Sequence, residues 1–181
     1  MRNQEIHPAP ALKRLLAASM AVVLAGAASS AFAAPTSYDK KFMEKAADSG
    51  STEISASKLA DGKAGDAAVK TFAATMVTDH TQVANELKTL ATSKSVTLSD
   101  EPSKAHQAEI KKLGGLDGAT FDKEYASKIG ISAHKDAVSL FADASKNASD
   151  PDVKAFAAKT LPALQHHLDM ATQLQTTLAK K

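Results

Sequence analysis

FAATMVTDHTQVANELKTL, residues Phe72 to Leu90, sets its apolar side chains three and four positions apart. With Val69 ahead of it, the series reads Val69, Phe72, Met76, Val83, Leu87, Leu90, the pattern of one buried helical face. His80 lies in the same seam, four residues after Met76 and three before Val83. An imidazole inside an apolar stripe needs a partner: a hydrogen bond, a water or a metal ion.

Working outward from that stretch, Asp66 is a natural N-cap for a helix over 67–93. A preceding helix is predicted over Tyr38–Ala60, ended by Asp61-Gly62, where glycine can take the left-handed cap. Its seam is Phe42, Ala46, Ser49, Glu53, Ser57, Ala60. After a break at 93–100, a shorter amphipathic helix runs over Pro102–Leu113 and stops at Gly114-Gly115. Thr120 caps a helix over Phe121–Asn147, with the seam Ser127, Ile131, His134, Val138, Phe141, flanked at its N-terminal end by Phe121, Tyr125 and Ile129. Asp150-Pro151, an acidic cap followed by proline at the first helical position, opens the last helix, which extends to about Leu178. Its seam is Val153, Phe156, Thr160, Leu164, His167, Ala171, Leu174, and Pro162 inside it predicts a kink. The fold class is therefore all-α: a four-helix bundle with an extra short helix between the second and third long helices. Short loops make the first two and last two long helices antiparallel hairpins. The 93–120 connection is either a long crossover or an excursion within an up-down-up-down bundle.

Each long helix places one polar residue in its seam near mid-length: Glu53, His80, His134 and His167. Midpoints of antiparallel helices of similar length share a height, and a two-residue error shifts a side chain by only ~3 Å. The four can therefore converge in the core. One glutamate with three histidines suits a single zinc, iron or copper ion. The competing reading is a buried polar layer that fixes the register of helices with interchangeable alanine faces, its histidines bonded to one another, to Glu53, or to Ser57 and Thr160. Asp79 points about 100° from His80; it supports a histidine on another helix from behind, or it is solvated. Tyr125 either hydrogen-bonds into the core or packs there. Met76 and Met170 offer thioethers suited to Cu(I), or fill the core. His106 and His166 read as surface residues.

Residues 1–33 read as a secretory signal peptide. Lys13 and Arg14 precede the apolar run Leu15–Ala28, and Ala31-Phe32-Ala33 forms a cleavage pattern. Cleavage there places the protein in the periplasm. No later run is long enough for a membrane span. Of the net charge of +2, all belongs to residues 1–33, which carry Arg2, Lys13 and Arg14 against Glu5. The remaining 148 residues, one domain's worth, are formally neutral and contain no arginine, which argues against nucleic acid as a partner. The absence of cysteine excludes disulfides, thiolate catalysis and cysteine-based zinc sites. Oligomeric state is not readable.

Five motifs carry a family resemblance: F-x-x-x-A…E-I…K-L-A over Phe42 to Ala60, K-x-F-A-x-x-M-V-x-D-H over Lys70 to His80, F-D-x-x-Y over Phe121 to Tyr125, H-x-x-x-V-x-L-F over His134 to Phe141, and L-P-x-L-x-x-H-L over Leu161 to Leu168. Together they resemble the bacterial domain-of-unknown-function 4142 family, whose members are often labelled outer-membrane proteins. The resemblance implies a ferritin-like four-helix bundle, and it singles out Glu53, Asp79, His80, Tyr125, His134 and His167. The chain departs from the di-iron pattern of such bundles, because none of these three histidines has a glutamate three residues before it. That argues against ferroxidase or iron-storage chemistry and leaves a mononuclear site. The expected role is metal or small-ligand binding in envelope stress or metal homeostasis, without catalysis. A non-enzymatic structural or interaction protein is the alternative. An enzyme is the third reading, with Glu53 and a histidine as an acid–base pair or a metal-activated water, although no nucleophile motif or phosphate loop points to one.

Overall fold

A computed structural model describes Met1 and residues 34–181 of the chain; the proposed signal peptide lies outside the described residues. The elements are α1 (Ser37–Lys63), α2 (Ala67–Ser93), α3 (Lys104–Gly114), α4 (Gly118–Tyr125), a π-helical segment (Ala126–Ala133), α5 (His134–Asn147) and α6 (Pro151–Leu178). The π segment joins α4 and α5 into one long rod. No helix among the described residues is long and apolar enough to cross a membrane.

The cap contacts fix the direction of every rod. Asp39, at the start of α1, caps that helix with Thr36 and accepts the Ser149 N–H at 2.9 Å, which places the α5–α6 turn beside it. Lys94, just past α2, pairs with Asp150 and Asp152 at the start of α6, at 2.8 and 2.6 Å. At the opposite end, Ala64 forms an isolated parallel bridge with Gly118, and Lys181 meets Asp66. The rod that starts at Gly118 therefore begins where α1 ends. The connection after α2 must climb the full bundle height, and α3 does so along α1: Asp48 accepts the Ser103 N–H at its start, and Gly114 approaches Leu59 at its end. The result is an up-down-down-up bundle with one long crossover, the ferritin-like arrangement. This resolves the choice that the connection's length left open.

Three local expectations are corrected. Gly62 does not end α1. The helix continues to Lys63, because the Asp122 carboxylate accepts the N–H groups of Gly65 and Asp66 (3.1 and 2.9 Å) and pulls the following turn onto α4. Thr120 is not a cap: α4 begins at Gly118, whose φ of 55° only glycine adopts freely, and Thr120 lies exposed within it. The seam of the third rod is also displaced. Ser127, Ile131 and Val138 are only half-buried, while Phe121, Tyr125, Ile129 and Gly130 are buried. The π segment carries one extra residue per turn and rotates the face before His134. Helix α6 is helical throughout, Pro162 included.

Alanine at the helix contacts keeps the rods close, and the core divides into two apolar clusters. One lies toward the crossover's end, around Val69, Phe72, Met76, Phe121 and Tyr125. The other lies toward the chain's start, around Phe42, Leu87, Phe141, Phe156 and Leu164, with Phe42 edge-on to Phe141 at 5.1 Å between ring centroids. Between the clusters sits a layer of polar side chains.

Candidate metal centre

That layer is Glu53 on α1, His80 on α2, His134 at the first position of α5 and His167 on α6, exposed by only 1, 4, 0 and 3 %. The three imidazoles pack as a triangle, with ring centroids 5.3 Å (His80–His134), 5.3 Å (His80–His167) and 5.5 Å (His134–His167) apart. Each histidine offers a ring nitrogen, and the three nitrogens lie within 4.8 Å of one another.

Each ring is held from behind by an oxygen. His80 Nδ1 lies 2.8 Å from Glu53 Oε2, His134 Nδ1 lies 3.0 Å from the Ile129 carbonyl, and His167 Nε2 lies 3.0 Å from Asp79 Oδ2. A carbonyl or a carboxylate only accepts, so in each pair the histidine donates, and this fixes the tautomer. The lone pair of a neutral ring then belongs to the other nitrogen: His80 Nε2, His134 Nε2 and His167 Nδ1. Those three atoms are buried and have no hydrogen-bond partner among the described residues. The hydroxyls that could have served them are engaged elsewhere. Ser57 bonds Tyr125 at 2.7 Å, and Thr160 donates to the Phe156 carbonyl at 2.9 Å.

The electrostatics follow from burial and neighbours. Burial pushes the Glu53 carboxyl up, but His80, with His134 and His167 behind it, more than reverses this and holds it below the usual range. Burial likewise disfavours a charged His80, and the Glu53 carboxylate overrides it, so the His80 pKa rises. His134 and His167 are both shifted down, principally by burial, and stay neutral.

The backbone around His134 is built for this geometry. The Ile129 carbonyl lies five residues before it, inside the π segment, and accepts the imidazole N–H. Gly130 lies where the segment crosses α6. A Cβ there would stand 2.9 Å from the Ala171 Cβ, so a side chain would force the two rods apart.

The structure brings the four seam residues together at one height, as the midpoint argument requires. It places Glu53 one step out from the convergence: its carboxylate backs His80 and approaches His134 Nδ1 at 3.8 Å, while the converging nitrogens belong to the three histidines. Asp79, half-exposed, supports His167 from behind. Tyr125 is fully buried and bonds Ser57; burial pushes its phenol pKa well up, so it stays a neutral phenol. His166 is exposed, and His106 sits 3.0 Å from Asp48 at the surface. Met76 is buried in the apolar cluster, with Met170 packed against it. Periodicity did not reveal the Ile129 carbonyl, because a backbone acceptor leaves no side-chain pattern in the sequence.

A family model described as Domain of unknown function (DUF4142) matches residues 24–174. No curated protein matches the chain. Among solved structures, a fragment of a DUF305 protein from Deinococcus radiodurans is similar in fold, with a TM-score of 0.68 at 12% identity, covering 81% of this chain and 99% of that one.

Proposed function

The chain belongs to the domain-of-unknown-function 4142 family, and we propose that it binds a single first-row transition-metal ion, zinc, copper or iron, through His80, His134 and His167. One observation carries this reading: three buried imidazoles, each tied from behind to an acceptor-only oxygen and each keeping a second nitrogen without a partner, offer ring nitrogens that lie within 4.8 Å of one another. Metal-ligating histidines commonly show this arrangement, with the outer N–H given to a carboxylate or carbonyl. Three atoms within 4.8 Å of one another lie no more than ~2.8 Å from a common centre, and zinc–imidazole bonds are about 2.0–2.1 Å, so shifts under ~1 Å per ring complete coordination. Nitrogen donors favour these ions over magnesium or calcium, which prefer oxygen.

Energetics favour this over a purely structural layer. Each buried polar atom left unpaired costs about 1–3 kcal/mol, and Glu53 Oε1 joins the three nitrogens as unpaired. That total is a large part of the roughly 5–15 kcal/mol that stabilises a domain. Leucines at these positions would hold an alanine-rich bundle at far lower cost, and a metal ion removes the penalty for all three rings.

The leader pattern at residues 1–33 supports export, and we place the protein in the periplasm, working in metal homeostasis or envelope stress rather than in turnover. The N-terminal mass of the protein recovered from cells tests the export step; retention of Met1 refutes it.

Elemental analysis of the purified protein, together with melts in EDTA and in added Zn²⁺, Cu²⁺ or Fe²⁺, tests the site. One ion per chain is expected. Free metal at 100 times its Kd adds about 2.7 kcal/mol, or roughly 5–11 °C in Tm for a domain of this size. His80→Ala is expected to abolish binding while the helical content stays. Asp79→Asn is expected to weaken it about 10–100-fold by removing the support of His167. No bound metal and no response of the melt to any of the ions refute the reading.

A further inference from the structure

A cleft of about 920 Å³ lies between α1, the crossover helix α3 and the rod of the π segment and α5; α2 and α6 contribute nothing to it. Its inner wall includes Glu53 and Ile129. These two residues hold His80 and His134 by their outer nitrogens. Glu53 is the one ionisable residue that both lines the cleft and contacts the histidines. Its Oε2 is committed to His80, while Oε1 is buried and has no hydrogen-bond partner among the described residues. Toward solvent the lining carries four more carboxylates, Asp48, Glu109, Glu124 and Asp136, against three lysines. The rim is therefore only slightly acidic, and the carboxylate set deepest in the cleft is Glu53.

We propose that this cleft is the route by which the metal ion reaches and leaves the trihistidine centre, passing Glu53 last, so that the ion is exchangeable cargo and not a permanent structural part. The proposal rests on the metal-binding reading above. A route lets an ion travel in both directions. Obstructing it therefore slows capture and release by one factor and leaves the equilibrium untouched, because the end states are unchanged. Damage to the ligands instead changes the affinity. The competing path lies on the opposite face, past the half-exposed Asp79 that backs His167.

The experiment uses Co²⁺ as the probe, with its visible absorption followed in stopped flow for capture and during chase by EDTA for release. Two variants of the full protein are compared with wild type. Leu116→Trp fills the cleft from its half-buried position in the connection after α3. A triple charge reversal, Glu109→Lys, Glu124→Lys and Asp136→Lys, alters only exposed rim residues and keeps the test open if the tryptophan disturbs folding. For Leu116→Trp, capture and release are both expected to slow at least tenfold, with Kd within a factor of two. For the triple variant, capture is expected to slow severalfold at low salt, and the difference to vanish near 0.5 M salt, where the Debye length is only a few ångströms. Wild-type rates in both variants, with wild-type Kd, overturn the cleft as the route and leave the metal centre standing. A wild-type protein that gives no Co²⁺ spectrum refutes the metal centre itself, and the route with it.

Discussion

Replacing Gly130 by alanine tests whether the π segment is held in place by its contact with α6. An ideal Cβ at 130 stands 2.9 Å from the Ala171 Cβ and 3.6 Å from Phe72 Cε1. Carbon atoms in good contact sit at about 3.5–4.0 Å, so roughly 0.6–1.1 Å must be absorbed. Neither side yields easily. Ala171 is fully buried in the interior of α6, and Gly130 is buried in the segment whose Ile129 carbonyl holds His134. Overpacking of this kind costs about 1–3 kcal/mol. Removing a glycine from a helical position returns about 0.5–1 kcal/mol. The net expectation is a loss of about 1–2 kcal/mol, or a fall of roughly 2–8 °C in Tm. Ala171→Gly alone should cost up to about 1 kcal/mol through backbone entropy. It also removes the clashing methyl, so the double variant should be more stable than the sum of the two by about 1 kcal/mol or more. Urea and thermal melts followed by circular dichroism on all four proteins give the cycle. An unchanged or raised Tm for Gly130→Ala, or strict additivity, refutes the reasoning.

Three further expectations rest on other contacts. Burial pushes the Asp39 carboxyl up, but its bonds to Thr36 and to the Ser149 N–H hold it below its ordinary value. Its folded pKa therefore lies below the unfolded one, and its contribution is complete above about pH 4 and is lost as pH falls through the folded pKa; Asp39→Asn should flatten the acid limb of a stability–pH curve measured by urea melts. Asp150→Ala removes the cap of α6, where Asp150 Oδ1 accepts the Asp152 and Val153 N–H groups, and strips the nearly buried Lys94 of one partner; a loss of roughly 2–4 kcal/mol in urea melts is expected, against under 1 for Asp152→Ala at the exposed end of the same network. Ser57→Ala should cost more than Tyr125→Phe, because the first strands a buried phenol at about 1–3 kcal/mol, while after the second the serine hydroxyl can turn to its own helix backbone; equal losses in the two melts would sink that argument.

The seams of α2 and α6 were legible in the sequence because both are uninterrupted α-helices, and period counting needs nothing else. Every seam residue read for α6 is buried, and Asp66, Asp150 and Pro151 mark the helix starts by local chemistry alone. The meeting of Glu53, His80, His134 and His167 was legible for a geometric reason: midpoints coincide whichever way each helix runs. The errors fall where a long-range contact overrides a local signal. Gly62 could have ended α1, but Asp122, 60 residues on, captures the next turn instead. The seam before His134 was misplaced because a single extra residue per turn is invisible to a 3.6-residue template. The direction of the third rod depended on where the crossover ends, which the bridge between Ala64 and Gly118 reveals and no local pattern encodes.

The Asp79-His80 pair shows how a slim bundle supports such a centre without dedicated elements. Consecutive helical residues project about 100° apart. A helix in a four-helix bundle faces the core along one direction and the edge of a neighbour along another, so adjacent residues can serve two different parts of one site. His80 takes the inward direction and meets Glu53 of α1; Asp79 takes the outer one and reaches His167 of α6, which is why its carboxylate remains 45 % exposed. His134 gets its acceptor from its own rod, at the cost of a π turn and a glycine against α6. The centre is thus assembled from all four rods, and each imidazole is oriented by a group on a different helix or in a different helical register. No hairpin of two helices contains it. On the proposed metal-binding reading, metal affinity and the docking of the two hairpins are thermodynamically linked: whatever separates α2 from α6 or α1 from α5 would loosen the site, and a bound ion would oppose that separation.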